Sequence, residues 1–193
     1  MAAAARRNLA GAAAVEVVTA EFESWPLPEE PFDAVVSATA FHWIDPAVRV
    51  VKAADALRPG GWLATISTHH IAGGDESFFA EAQTCYERWD PETPPGGVAL
   101  KLAADIPHAS DELDRSSRFG PARFRRYEWE LAYTTASYLD LLRTYSGHRD
   151  LDPESQSGLL GCIAHLIDSR HGGRIVKRYL TELRVAPAVQ PPT

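Results

Sequence analysis

The sequence predicts an α/β fold with an antiparallel strand pair at one edge of the sheet. Three observations carry that reading. Phe32-Asp33-Ala34-Val35-Val36-Ser37 is short and nearly continuously apolar, as a strand covered on both faces must be. A β-α-β unit follows from Phe32 to Ser67, with Asp45-Pro46 as helix start and Pro59-Gly60-Gly61 as its stop. The two later strands, Tyr127–Tyr133 and Tyr179–Val185, alternate between apolar and polar residues, the mark of a half-wet antiparallel strand.

The elements read in order as follows. Ala2 to Arg7 is rich in strong helix formers, and Gly11 is a natural stop. Val15-Glu16-Val17-Val18-Thr19 is β-branched and reads as a strand. Glu21 to Pro31 is a loop, and the Phe32–Ser37 strand follows it. In the crossover helix, Val50, Ala54 and Leu57 form the buried stripe. Trp62–Ser67 is the third strand, and Ser77–Trp89 a helix with Phe79, Ala82 and Tyr86 on one side. Pro91 to Gly97 is a break, and Leu100–Leu113 holds at most a short helix. After Tyr127–Tyr133, Thr134 or Thr135 starts a helix carrying Tyr138, Leu141, Leu142 and Tyr145. Asp152-Pro153 caps another, with Ile163 and Leu166 in its stripe and Gly172-Gly173 at its end. Residues 1–186 read as one domain, and 187–193 as a frayed Pro-rich tail.

Composition narrows the function. The 193 residues carry a net charge of −7 and are 45% hydrophobic, which argues for a globular chain. An acidic chain is a poor partner for nucleic acid or an anionic membrane surface. No apolar run approaches the roughly 20 residues of a membrane span, and no good signal sequence follows Arg6-Arg7, so a cytoplasmic location is expected. Two cysteines, Cys85 and Cys162, make neither a disulfide scaffold nor a four-thiolate zinc site, and read as ordinary buried thiols.

Several motifs taken together resemble a known family. Val15–Glu23, Pro26-Leu27-Pro28, Phe32–Ala38, Phe41-His42-Trp43 and Leu57-Arg58-Pro59-Gly60-Gly61, in this order, look like the class I S-adenosylmethionine-dependent methyltransferases. The His-Trp pair is similar to the small-molecule branch that holds trans-aconitate-methyltransferase-like and ubiquinone-biosynthesis-like enzymes. The resemblance implies a doubly wound Rossmann-like sheet with strand order 3-2-1-4-5-7-6 and strand 7 antiparallel. The strands of this chain then match the third to seventh. The glycine-rich turn after the first strand has no counterpart, and no Gly-x-Gly occurs in the sequence. On this reading the chain is N-terminally incomplete. The Val15–Thr19 strand then pairs directly with Phe32–Ser37 or lies loosely placed, and the edge of Phe32–Ser37 is exposed.

The same resemblance implies site residues. Glu21 would accept from the adenine amine of S-adenosylmethionine, and the N–H of Phe22 would bond an adenine ring nitrogen. Ser37 and Ala38 lie at the carboxyl end of a strand, where doubly wound sheets bind ligands. Phe41 and Trp43 would wall the adenine or the cationic sulfonium. His42 reads either as a base or substrate-orienting residue, or as a packing histidine. Weaker candidates are His69-His70, Tyr138, Tyr145 and His148 around a substrate pocket, and the basic run Arg123, Arg125 and Arg126. His165 and His171 show no convincing ligand partners, and no metal site is expected. Two functions follow: a small-molecule methyltransferase working by in-line attack, or a non-catalytic methyltransferase-like domain that binds a partner. The absent dinucleotide fingerprint counts against a nicotinamide-dependent oxidoreductase. The substrate, the atom methylated and the oligomeric state are not readable from these residues.

Overall fold

The computed structural model describes residues 2–12, 14–90, 92–96, 99–108 and 111–189. Four strands form one sheet: β1 (Phe32–Ala38), β2 (Leu57–Gly74), β3 (Arg123–Thr134) and β4 (Arg174–Pro187), in the order β1-β2-β4-β3. β1 runs parallel to β2. β4 runs antiparallel to both neighbours. Against β2, Gly60 N–H donates to Ala188 O while Asp75 N–H donates to Val176 O, so the numbering falls on one strand as it rises on the other. Against β3, Phe119 bridges Ala188 in antiparallel sense and Thr135 N–H donates to Gly173 O. The sheet is therefore mixed, as the pattern of buried and alternating strands predicts.

The helices are α1 (Ala2–Asn8), α2 (Arg49–Asp55), α3 (Glu76–Trp89), α4 (Asp111–Arg115), α5 (Thr135–Leu142), α6 (Ser146–Asp150) and α7 (Pro153–Arg170). Two of the expected caps are present. Thr134 accepts from Ser137 N–H, and Asp152 accepts from Glu154 and Ser155 N–H with Pro153 in the first turn. Asp45 caps a turn rather than the helix itself: its carboxylate accepts from Ala47 N–H, and α2 begins only at Arg49.

The chain folds as two compact units. Unit 1 holds residues up to 66, 109–124 and 183 onward; unit 2 holds 67–108 and 125–182. The core of unit 1 includes Phe41, Val50, Ala53, Leu63, Leu113 and Phe119. That of unit 2 packs Phe78 and Ala82 of α3 against Leu159, Ile163 and Ile167 of α7.

The structure corrects five expectations. β1 is not covered on both faces: five of its seven residues are exposed, Val36 at 64%. Val15–Thr19 is not a strand; these residues are mostly exposed and non-ladder, tied by Arg6, whose guanidinium donates to Val17 O at 2.9 Å. Its β-branched side chains favour extension, but a strand needs a ladder partner, and none of the described residues supplies one. Next, Cys85 and Cys162 are not free thiols: they form a disulfide joining α3 to α7. The tail is ordered further than expected, with Pro187 in β4 and Ala188 buried against Phe119; residues 190–193 lie outside the described residues. Finally, β2 is much longer than Trp62–Ser67. Its regular pairing with β1 starts at Ala34↔Trp62, but it runs on through His69-His70 to Gly74 beside β4. At the irregular start of that pairing, a Cβ on Gly61 would sit 3.0 Å from the carbonyl oxygens of Asp33 and Arg58, a tight approach that the backbone would have to ease by a few tenths of an ångström.

Candidate active site at the carboxyl end of β1

At the end of β1, Ser37 lies opposite Thr65 and Ala38 opposite Ile66. Thr39 then leaves the sheet. Its N–H donates to Ile66 O at 2.8 Å, its hydroxyl donates to Ala38 O at 2.8 Å, and its φ is +50°. A left-handed conformation costs a β-branched residue about 1 kcal/mol, so the two hydrogen bonds hold a strained corner. The corner delivers the chain into a single 3-10 turn, Phe41–Trp43. Phe41 turns inward and is buried, while His42 and Trp43 turn outward. Trp43 is 70% exposed, and its ring centroid lies 4.9 Å from that of His42.

The loop before β1 is fastened to this turn. Glu23 accepts from Asp45 N–H at 3.1 Å, and Lys52 donates to Glu23 O at 2.8 Å. The Lys52 ammonium also lies 5.8 Å from the centre of the Phe22 ring. Glu21 accepts from Trp25 N–H through its carbonyl and leaves its side chain exposed.

The structure thus brings Ser37, Ala38, His42 and Trp43 to one strand end and fastens the Glu21-Phe22 turn beside them through Glu23. It does not leave Phe41 as an open aromatic wall. Phe41 is in the core with the guanidinium groups of Arg49 and Arg184 over its ring at 5.3 and 5.7 Å, and Phe22 packs against that core under Lys52. The accessible groups are a carboxylate (Glu21), an imidazole (His42) and an indole face (Trp43). That set fits a ligand carrying an amine-bearing heterocycle and a soft cation: the carboxylate suits the amine and the indole suits the cation.

Unit 2 gathers the other candidates except Arg123, which lies in unit 1. Tyr145 and His148 line a cleft of about 400 Å³ with Gln83, Tyr86, Asp90 and Thr93. His148 Nε2 and the Tyr86 hydroxyl are 3.2 Å apart. Tyr138 is a core residue, 4% exposed. His70 packs edge-on to Phe79 at 4.4 Å, and burial, with Lys177 as a second cause, holds its pKa down at about 4. Arg126 serves structure: it pairs with the buried Glu182, while Arg123 and Arg125 are exposed. His165 is exposed, and His171 lies 3.5 Å from Glu81.

Lys177 escaped the sequence reading. It lies before the expected Tyr179–Val185 strand, within the longer β4, and is 5% exposed. Its ammonium donates to the Tyr145 hydroxyl at 3.2 Å and lies over the rings of Tyr145 and Tyr179, at 5.5 and 5.3 Å. Among the described residues it has no carboxylate within ion-pair distance, and burial pushes its pKa down to about 8. A base whose folded pKa is depressed has its full stability only above its unfolded pKa, near 10.5, and loses it as pH falls to about 8. At pH 7 Lys177→Met is therefore expected to stabilise the protein by about 2 kcal/mol. The gain should shrink between pH 8 and 10.5, as measured by urea unfolding across that range; a destabilised variant at pH 7 would contradict the assignment. His70 obeys the same sign, and its contribution is lost as pH falls from 6.5 to about 4.

Comparison with known proteins agrees with the architecture. Residues 1–65 match the model of a methyltransferase domain family. Uncharacterized methyltransferases of Mycobacterium tuberculosis (strain H37Rv) and Mycobacterium bovis are 46% identical over 44 residues, 23% of this chain. The matching stretch spans only 18% of those relatives' length. The crystal structure of a candidate methyltransferase from Bacillus halodurans C-125 superposes with a TM-score of 0.51 at 17% identity, covering 98% of this chain and 79% of that one. At that identity the likeness establishes the α/β fold of the sheet.

Proposed function

We propose that this chain carries the active-site face of a class I S-adenosylmethionine-dependent methyltransferase that acts on a small molecule. The branch is the trans-aconitate and ubiquinone-biosynthesis type, to which the Phe41-His42-Trp43 motif is similar. The observation that carries the reading is the strained Thr39 corner. It turns the chain out of β1 so that His42 and Trp43 stand exposed at the carboxyl end of a parallel strand, where doubly wound sheets bind ligands. The match of residues 1–65 to a methyltransferase domain supports it.

The cofactor, when bound, supplies a methyl carbon on a sulfonium; the acceptor's lone pair forms the new bond while the carbon–sulfur pair returns to sulfur. The residues of the chain divide the remaining work. Trp43 offers its indole face to the cation. Glu21 would accept from the adenine amine, and the Phe22 N–H would donate to an adenine ring nitrogen. Ser37 and Ala38 form the floor at the strand end. His42 orients the acceptor and takes its proton on an imidazole nitrogen. Alignment of acceptor and leaving group provides most of the acceleration, so His42 assists rather than being indispensable.

A second reading, a non-catalytic methyltransferase-like domain, is favoured by a specific observation. The ring of Phe41, expected to wall the cofactor, is already covered by the Arg49 guanidinium. Titration calorimetry with S-adenosylmethionine separates the two. We expect weak binding, on the order of 100 µM or weaker, reduced about fivefold by Trp43→Ala, the loss of one cation–aromatic or stacking contact. No heat at millimolar ligand would overturn the methyltransferase reading for this chain.

A further inference from the structure

We propose that Arg49 is the positioning residue of this site: one guanidinium fixes both ends of the turn that presents His42 and Trp43. Nη1 of Arg49 donates to Phe41 O at 3.2 Å and to Ile44 O at 3.4 Å, the two carbonyls that flank the exposed pair. The plane of the same group lies over the Phe41 ring. Its other edge is engaged as well, with Nε donating to Glu112 Oε2 at 2.7 Å and Nη2 paired with the same oxygen. The second oxygen of Glu112 accepts from Arg184 Nη2 at 3.1 Å, and Arg184 Nε donates to Thr65 Oγ1 at 3.0 Å. Thr65 is the register partner of Ser37. A continuous polar chain therefore runs from the turn, through Arg49, Glu112 and Arg184, back to the strand end from which the turn departs.

The turn does not need this chain in order to exist. Trp43 N–H already donates to Ala40 O, Ile44 N–H to Phe41 O, and the burial of Phe41 anchors it. What Arg49 adds is direction: with both flanking carbonyls tied to one rigid plane, His42 and Trp43 cannot rotate as a pair. Such direction matters for a transfer that relies on alignment, where a displacement of about 1 Å can cost a hundredfold in rate. Lysine cannot substitute, because a single ammonium on a flexible stem cannot meet two carbonyls and a carboxylate edge at once.

The inference rests on the proposed function only for its consequence, and the test separates the two. The full chain is labelled with 5-fluorotryptophan, and Trp43→Phe identifies the Trp43 signal among the five tryptophans in fluorine NMR. In Arg49→Lys and in Glu112→Gln the Trp43 resonance should shift or broaden while the other four stay in place. Affinity for S-adenosylmethionine should fall severalfold, by no more than the roughly fivefold expected for Trp43→Ala. A Trp43 signal unmoved in both folded variants overturns the inference, whatever the ligand does. If the parent protein binds no S-adenosylmethionine but the Trp43 signal moves, Arg49 keeps its role and the methyltransferase reading falls. Where both variants fail to fold, the parent decides: slow hydrogen exchange at the Arg49 guanidinium supports the inference, and exchange as fast as in an exposed arginine overturns it.

Discussion

The Cys85→Ser, Cys162→Ser double variant is expected to lose about 4 kcal/mol of stability in unit 2 relative to the oxidised parent. The bond closes a loop across a sequence separation of 77 residues. Loop-closure entropy removed from the unfolded chain grows with the logarithm of loop length, which for this loop gives about 4 kcal/mol. The bond also sits where it constrains packing. Cys85 is 2% exposed and lies on the α3 face that carries Phe78 and Ala82, and Cys162 packs against the same core from α7. Urea unfolding without reductant is the measurement. Excess dithiol should lower the parent to the level of the double variant and leave the variant unchanged. Equal midpoints for parent and variant without reductant would mean that the thiols are not joined.

Glu182→Gln is expected to cost about 3 kcal/mol, because removing one member of a buried ion pair leaves the other charge uncompensated. Glu182 is 5% exposed and accepts from Arg126 Nε at 2.5 Å, with His108 Nδ1 2.6 Å from the same oxygen. Arg126 in turn donates to Ala103 O at 3.2 Å and Ile106 O at 2.7 Å. The carboxylate therefore fixes a guanidinium that holds the 103–108 segment to the sheet. The variant should show two changes together, a lower unfolding midpoint and faster limited proteolysis within 101–108. A lower midpoint with unchanged cleavage would mean that the segment is held by other means.

Much of the architecture was legible because it is written locally. Thr134 and Asp152-Pro153 cap their helices through atoms within three residues, and the apolar run of Phe32–Ser37 marks β1 as a strand, although the strand is largely exposed. What was not legible depends on partners distant in sequence. Val15–Thr19 has strand composition without a ladder. β2 runs past Ser67 because β4 accompanies it, a pairing more than 100 residues away. The disulfide carries no spacing signal at all. Within the site, the positions of Ser37, Ala38, His42 and Trp43 followed from the end of β1. Arg49, Glu112 and Arg184 did not, since each looks like an ordinary surface charge until the fold brings the three together. Glu182 escaped because alternation predicts which side chains share a face, not that both faces are covered, and Lys177 because β4 begins before the expected Tyr179–Val185 strand.

The Thr39 corner has a consequence for how the site tolerates change. Glycine would relieve the left-handed strain in the folded chain, but would also free the unfolded one, so the two effects nearly offset in stability. The loss would fall on stiffness. A glycine there has no hydroxyl to tie back to Ala38 and no branched Cβ to forbid other exits, so the chain could leave β1 along several paths. Threonine makes the corner a one-way junction, in which strain excludes the wrong routes as firmly as the hydrogen bonds secure the right one.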